Sequence, residues 1–236
     1  MTIGAGGTIT NSAGAGTLLA DGLNPLSVSS AGSLNLSSSG TGLAIERVIN
    51  DSNAATAVAV STGTVTLSAT NTYSGGTSVS GGGRLRIGAA DNIGGTALTL
   101  DSGTLSTTSD LTLGQTITLG AGPGSLEAAA ATTLTVNSAI GQSVAGGALT
   151  KTGSGTLNLN GANTYSGATA ITAGTLVAGN ALALGTAAGG TTVATGASLA
   201  INNVDLGTEA LSLAGTGAGA AGALVGTGAN AGRAVR

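Results

Sequence analysis

Cysteine, histidine, phenylalanine and tryptophan are all missing from this 236-residue sequence, and each absence removes a class of answer. Without cysteine there is neither a disulfide framework nor thiol chemistry, which fits any redox compartment. Without histidine, a serine lacks the base that usually takes its proton. Aromatics make up 1% of the chain, two tyrosines in all. Compact cores draw much of their burial from large rings, so a narrow interior of Leu, Ile, Val and Ala is expected instead. Charge is scarce too: 6% of residues are charged and the net charge is −3. Six scattered Lys and Arg give no electrostatic footprint for nucleic acid, and Arg84 and Arg86 read as a solvated strand face. No apolar run approaches the ~18 residues that span a bilayer. Met1-Thr2-Ile3-Gly4 has neither the basic nor the apolar region of a secretory signal, so any export address is expected outside this stretch.

What is present is glycine, 44 residues, and a moderate supply of aliphatics: 28 Leu, 10 Ile and 13 Val. That supply lies just above the level at which disorder becomes the default, and the high net charge of disordered chains is absent. Short segments alternate apolar residues with Thr, Ser or Arg: Thr64 to Leu67, Thr77 to Val79, Arg84 to Ile87, Ala97 to Leu100 and Thr116 to Leu119. A period of two predicts strands with one buried face. Weaker signals lie at Gly7 to Thr10 and Ser33 to Leu36, separated by a turn at Asn24-Pro25. Glycines, Asn and Asp punctuate the segments as turn residues do. No window holds a capped helical period.

The organising signal is internal repetition. Lys151 to Gly179 has a close relative at Thr62 to Gly88, both containing NTYSG: Asn71, Thr72, Tyr73, Ser74, Gly75 and Asn163, Thr164, Tyr165, Ser166, Gly167. At a shift of 91 the likeness reaches back to Leu43, Ile45 and Ile49, which match Leu134, Val136 and Ile140. Inside the long repeat runs a step of 23, through Leu111, Leu134 and Leu157, through Leu113, Val136, Leu159 and Leu182, and from Ile117 to Ile140, Leu176 to Leu199 and Ile201 to Leu224. Ninety-two, the separation of the tyrosines, is four such steps. These regularities predict an all-β parallel β-helix with coils of about 23 residues, stacked at the ~4.8 Å strand spacing. Few such matches occur before residue 111, where varying coil lengths are expected. Long units are expected near 42–133 and 134–213 of a β-helical segment 1–213. Residues 214–236 are read as a terminal coil or flexible tail.

NTYSG has two readings. As structure, Asn adopts the left-handed conformation and bonds its own backbone, Thr and Ser cap amides, Gly closes the corner and Tyr lies over the coil. As function, two exposed tyrosines offer platforms for sugars. The repetition of the whole pentapeptide favours the structural reading.

Ala148-Leu149-Thr150-Lys151-Thr152-Gly153-Ser154-Gly155-Thr156-Leu157-Asn158-Leu159, with Gly161 to Gly167 and Ala173 to Leu176, resembles the autotransporter-associated β-strand repeat, the passenger-associated transport repeat of bacterial autotransporters. Lys151, Gly153 and Gly155 belong to its lead-in; upstream, Ala57 to Ser61 replaces that lead-in and Gly81-Gly82-Gly83 adds a residue. The resemblance implies a right-handed parallel β-helix, exported through an outer-membrane translocator barrel in the parent protein and displayed at the cell surface. It implies a structural role in passenger folding, secretion and extension, with adhesion, self-association, or contact with a surface receptor or glycan as further roles. Neither catalysis nor a cofactor nor a metal is implied.

Gly217 to Gly222 satisfies G-x-G-x-x-G, but Gly226 and Gly228 interrupt the helix that a dinucleotide site needs. Asp101-Ser102-Gly103 looks like a nucleophile loop without a histidine, and Lys151 is the only lysine for a Ser-Lys pair. A polysaccharide-acting enzyme would need a groove of carboxylates, for which Asp91, Asp101 and Asp110 are the nearest cluster. No recurrent G-G-x-G-x-D run exists for calcium. Asn35-Leu36-Ser37 and Asn50-Asp51-Ser52 match the glycosylation sequon. Thr64/Thr66, Thr116/Thr118 and Thr133/Thr135 suit a water-ordering or ice-ordering threonine face, though threonine also favours exposed strand positions in general.

Overall fold

Each short alternating segment buries every second side chain, and the only way to cover so narrow an apolar edge is to lay the next coil on top of it. A computed structural model describes residues 2–3, 7–11, 15–18, 26–28, 32–51, 55–95 and 97–227. Their strands form a parallel β-solenoid of about nine turns with coils of roughly 22 residues and almost no helix. The expected strands are all present: Thr64–Leu67, Thr77–Ser80, Arg84–Ile87, Ala97–Asp101 and Thr116–Leu119, with Thr8–Asn11 and Gly32–Ser38 upstream.

Three faces enclose the interior. The first is a seven-stranded sheet from Thr8–Asn11 to Ile140–Gln142, and the second a ten-stranded sheet from Ala15–Leu18 to Leu211–Leu213. The third carries three strands, Thr2–Ile3, Leu26–Val28 and Ile49–Asp51, at one end and six, Leu111–Leu113 to Leu224–Thr227, at the other. Between those two sets pass Asn71 to Tyr73 and a single 3-10 turn, Ala90–Asn92.

The interior consists of columns. On the third face Leu111, Leu134, Leu157, Leu176, Leu199 and Leu224 stand in register, six leucines deep. On the second face a column runs Leu43, Val65, Leu85, Leu105, Leu126, Lys151, Ile171, Val193. Each fully buried aliphatic rung contributes about 1.5–3 kcal/mol of transfer free energy. The columns therefore set the register that the glycine-rich corners must follow.

The step of 23 holds for Leu111–Leu134–Leu157, Leu113–Val136–Leu159, Leu176–Leu199 and Ile117–Ile140, and also for Leu26–Ile49. Elsewhere it gives way, because corners lengthen and shorten while the columns stay aligned. Steps run from 19, Leu157 to Leu176, through 20 along Thr64, Arg84 and Thr104, to 27, Ile9 to Leu36. Two expected matches fail: Leu159 stacks on Ala178, leaving Leu182 on the surface at 48% exposure, and Ile201 pairs with Gly226 while Leu224 takes the place above Leu199.

The tyrosine separation is corrected likewise. From the first lead-in strand, Thr56–Thr62, the first face climbs four turns through Thr77–Ser80, Ala97–Asp101 and Thr116–Leu119 to Ile140–Gln142. The second lead-in, Leu149–Thr152, lies one face further, on the second sheet. Every later piece of the repeat follows it: Thr64–Leu67 is on the second face and Thr156–Leu159 on the third, Thr77–Ser80 on the first and Thr169–Ile171 on the second. The copies are four turns and one face apart, which averages to shorter coils than four steps of 23 would give.

At the far end Leu224–Thr227 pairs with Ala197–Asn202, and Gly217 to Gly222 holds a 3-10 turn at Ala218–Ala220 rather than the start of a helix. The expected turn at Asn24-Pro25, Ser52 of the second sequon, and residues 228–236 of the terminal segment with Arg233 and Arg236 lie outside the described residues.

Candidate functional site

The two NTYSG corners have the same atomic arrangement despite facing different ways. Asn71 Oδ1 accepts the Ile49 N–H at 2.7 Å from the coil below, and its Nδ2 donates to Asn92 O at 2.6 Å in the coil above. Asn163 repeats this with the Ile140 N–H at 2.8 Å and Ala183 O at 2.5 Å. Both asparagines are buried. One amide thus ties three successive coils, and the bonds are costly to lose because the groups left behind are buried. The backbone runs in step: Thr72 and Thr164 donate their N–H groups to Ile49 O and Ile140 O, and Asn71 and Asn163 donate theirs to Asp91 O and Leu182 O. Neither asparagine is in the left-handed region. The side chain spends its bonds on neighbouring coils rather than on its own backbone.

The tyrosines point inward. Tyr73 and Tyr165 are 1% and 0% exposed, so neither is a platform for a sugar. Tyr73 Oη lies 2.6 Å from Thr77 Oγ1, and Tyr165 Oη lies 2.7 Å from Thr169 Oγ1. Thr169 Oγ1 donates onward to Leu184 O at 3.0 Å, so Tyr165 is the donor to Thr169. Burial raises both phenol pKa values; the threonine hydrogen bonds oppose it only in part.

The closing glycines are required by proximity. Gly75 and Gly167 donate N–H to Thr56 O and Gly147 O in the coil below. A Cβ on Gly75 would lie 2.5 Å from the Thr56 carbonyl, and one on Gly167 2.3 Å from Gly146 O. Neither has a positive φ.

Sequence reading missed a partner common to both copies. Asp51 Oδ1 accepts the Thr56 N–H at 2.7 Å, while Oδ2 accepts the Ser74 N–H at 3.0 Å and the Ser74 hydroxyl at 2.5 Å. Gln142 occupies the equivalent place: Oε1 accepts the Ser166 N–H at 2.9 Å and the Gly147 N–H at 3.1 Å, and Nε2 lies 3.1 Å from Ser166 Oγ. The shift of 91 that matches Ile49 to Ile140 also matches these two acceptors, but Asp and Gln do not look alike as letters. Burial pulls the Asp51 carboxyl upward, yet hydrogen bonds from Ser74 and Thr56 outweigh it and hold the pKa below its ordinary value.

Lys151 is fully buried within the lead-in strand. Its Nζ donates to Thr152 O and Gly153 O at 2.7 Å and to Ala173 O at 3.1 Å, joining the corners of adjacent coils. Burial pushes its pKa down to about 8, opposed by the charge of Glu127. Glu127 itself is paired with Arg84, two coils below, at 2.6 Å. Gly155 is another close approach, where a Cβ would meet Ala129 O at 2.1 Å.

The carboxylates weighed for catalysis do separate local work. Asp91 accepts the Thr70 hydroxyl, Asp101 the Gly122 N–H and Asp110 the Thr133 N–H. Among the described residues no group of three acidic or other metal-ligating side chains converges. The threonine pairs are spread over the faces: Thr64/Thr66 on the second, Thr116/Thr118 on the first, Thr133/Thr135 on the third. They do not form one flat array. An open groove of about 230 Å³ between Ala181 to Ala187 and Asp205 to Glu209 is lined mainly by Leu182, Leu184 and Leu206.

Comparison with known proteins places family likeness on the two corners and their flanks. The passenger-associated-transport-repeat family matches residues 60–87 and 149–178. The chain is also 37% identical over 123 residues to the adhesin BmaC autotransporter of Brucella suis biovar 1 (strain 1330). That similarity covers 51% of this chain and 4% of the relative's length. No solved structure matches.

Proposed function

We propose, for a chain that carries two passenger-associated transport repeats, the role of a stiff spacer within an autotransporter passenger, displayed outside the outer membrane after export through the parent's translocator barrel. The repeat corners act as clamps that lock each new coil to the one below and present a bonded edge to the one above. The observation that carries this is the asparagine of each copy, whose amide holds three successive coils. A chain that crosses a membrane unfolded and folds coil by coil gains most from side chains that reward each addition. Adhesion is proposed for the parent from the relative's name, with this segment extending the adhesive part from the cell; lateral contact with a receptor, a glycan or a second copy is a further role of the exposed faces. No catalytic role is proposed, because the carboxylates are spent on bonds between coils.

The test is made in the parent protein. Asn71→Ala with Asn163→Ala lowers the amount of passenger cut by protease on intact cells, relative to total passenger in lysed cells. Display equal to that of the unaltered parent would sink the clamp's role in export.

A further inference from the structure

The corner is incomplete without Asp51 or Gln142, which lie nine and seven residues before the matched stretches begin. We propose that each transport repeat includes a side-chain acceptor in the coil below, and that the choice of carboxylate or amide there sets whether the clamp opens in acid. This deepens the clamp reading and rests on it.

The acceptor does one job in both copies. It takes the backbone N–H of the serine in NTYSG, and it takes the N–H of the residue five positions after itself, Thr56 or Gly147. That same residue accepts the N–H of the closing glycine. Acceptor, serine, glycine and the residue five positions after the acceptor therefore form a closed ring of bonds between two coils. The two copies solve it with different atoms. Asp51 divides its donors between two oxygens, whereas Gln142, one methylene longer, brings both N–H groups to a single Oε1 and holds the serine hydroxyl 3.1 Å from Nε2 and 3.2 Å from Oε1.

The difference matters when protons are added. A carboxylate only accepts; protonated, it carries a donor on one oxygen, and three donors then compete for what is left. An amide keeps its arrangement at any pH in this range. Of the charged residues on neighbouring segments, Asp91 is engaged by Thr70 one coil up, and Glu46 and Arg47 lie at the corner before Asp51. Hydrogen bonds from Ser74 and Thr56, rather than a charge, hold Asp51 ionised against burial. The sign follows: the folded pKa is depressed, so the stabilisation is present above the ordinary carboxyl value and is lost as pH falls through the lower folded one.

The experiment is amide exchange by NMR on the whole chain at pH 6 and pH 2. Protection factors of Thr56, Ser74 and Gly75 fall about tenfold between the two, the scale of a charge-assisted hydrogen bond, while those of Gly147, Ser166 and Gly167 hold. Asp51→Asn, which copies the protonated group by replacing one acceptor oxygen with a donor, produces the fall already at pH 6. Asp51→Gln gives a first clamp that is insensitive to pH. Equal protection of the first set at both values, a parallel fall in the second set, or unaltered protection in Asp51→Asn at pH 6 overturns the proposal. Any of these leaves the export role to be judged by surface display of the asparagine variants, which is a separate readout.

Discussion

Lys151 stacks in register on Leu126, placing an amine in a column that otherwise holds aliphatic carbon from Leu43 to Val193. The first copy of the repeat has Val60 at the matching place, also buried but in a column of the first face, so the repeat itself does not need the amine. What the amine adds is three bonds to corner carbonyls.

This placement predicts stability that rises with pH. The amine gives up its proton near pH 8 in the folded chain and near 10.5 when unfolded. Between those values the unfolded chain binds more protons, so stability increases, by about 3 kcal/mol over the full interval. Above pH 10 the buried phenols work in the opposite sense, since their folded pKa values are raised and the unfolded tyrosines ionise first. Urea unfolding at pH 7, 9 and 10 shows the rise, and Lys151→Met abolishes it. A flat profile in the unaltered chain contradicts the buried amine.

The tyrosines separate ring from hydroxyl. Tyr165→Phe removes one hydrogen bond to Thr169 and costs about 1 kcal/mol. Tyr165→Ala also empties the interior beneath the next coil and costs about 3–5 kcal/mol. Thermal unfolding of the two variants measures the difference; equal losses would mean that the ring packs poorly.

Close approach at the corner predicts a position-specific glycine effect. Gly75→Ala and Gly167→Ala force backbone apart and each cost about 1–3 kcal/mol. Gly114, with no described residue within 4 Å of its missing Cβ and no positive φ, provides the control. Gly114→Ala is neutral or stabilises by up to about 1 kcal/mol through the unfolded state. Denaturation midpoints of the three variants decide it.

The columns predict which leucines matter. Leu157→Ala, in the middle of the six-leucine stack, costs about 2–5 kcal/mol. Leu182→Ala, on the surface despite its position in the arithmetic series, stays within about 0.5 kcal/mol. Similar losses in both, read by the same denaturation, would place Leu182 inside.

Strands and stacking were legible in the sequence because a half-buried strand must alternate and a coil must repeat its apolar positions. Leu111, Leu134 and Leu157 carried the coil spacing because the two coils between them have the same total length, although the corners inside them differ. Beyond them the arithmetic misled. The long corner between Gln142 and Leu149 widens one step to 25, Leu126 to Lys151, and the next third-face step, Leu157 to Leu176, narrows to 19. Corner length costs little to vary, so columns rather than counts preserve the register. The NTYSG pentapeptide was visible as a repeat, but its geometry was not, since its partners Ile49, Asp51 and Asn92 are about twenty residues away along the chain and adjacent only across the stack. Burial of Tyr73 was hidden for the same reason: a corner shows in its letters that it turns, not which side it turns in.

A rod whose identical landmarks are offset by one side as well as by height has no common seam. A molecule that holds the outer surface at Ser74 and climbs straight along the axis passes the corners at Gln115 and Ser138 and, four rungs or about 20 Å up, arrives at Gly161, with Ser166 one face further on. Two-handed attachment to both landmarks therefore demands a ligand that wraps, and a rigid bivalent one is refused by the winding itself.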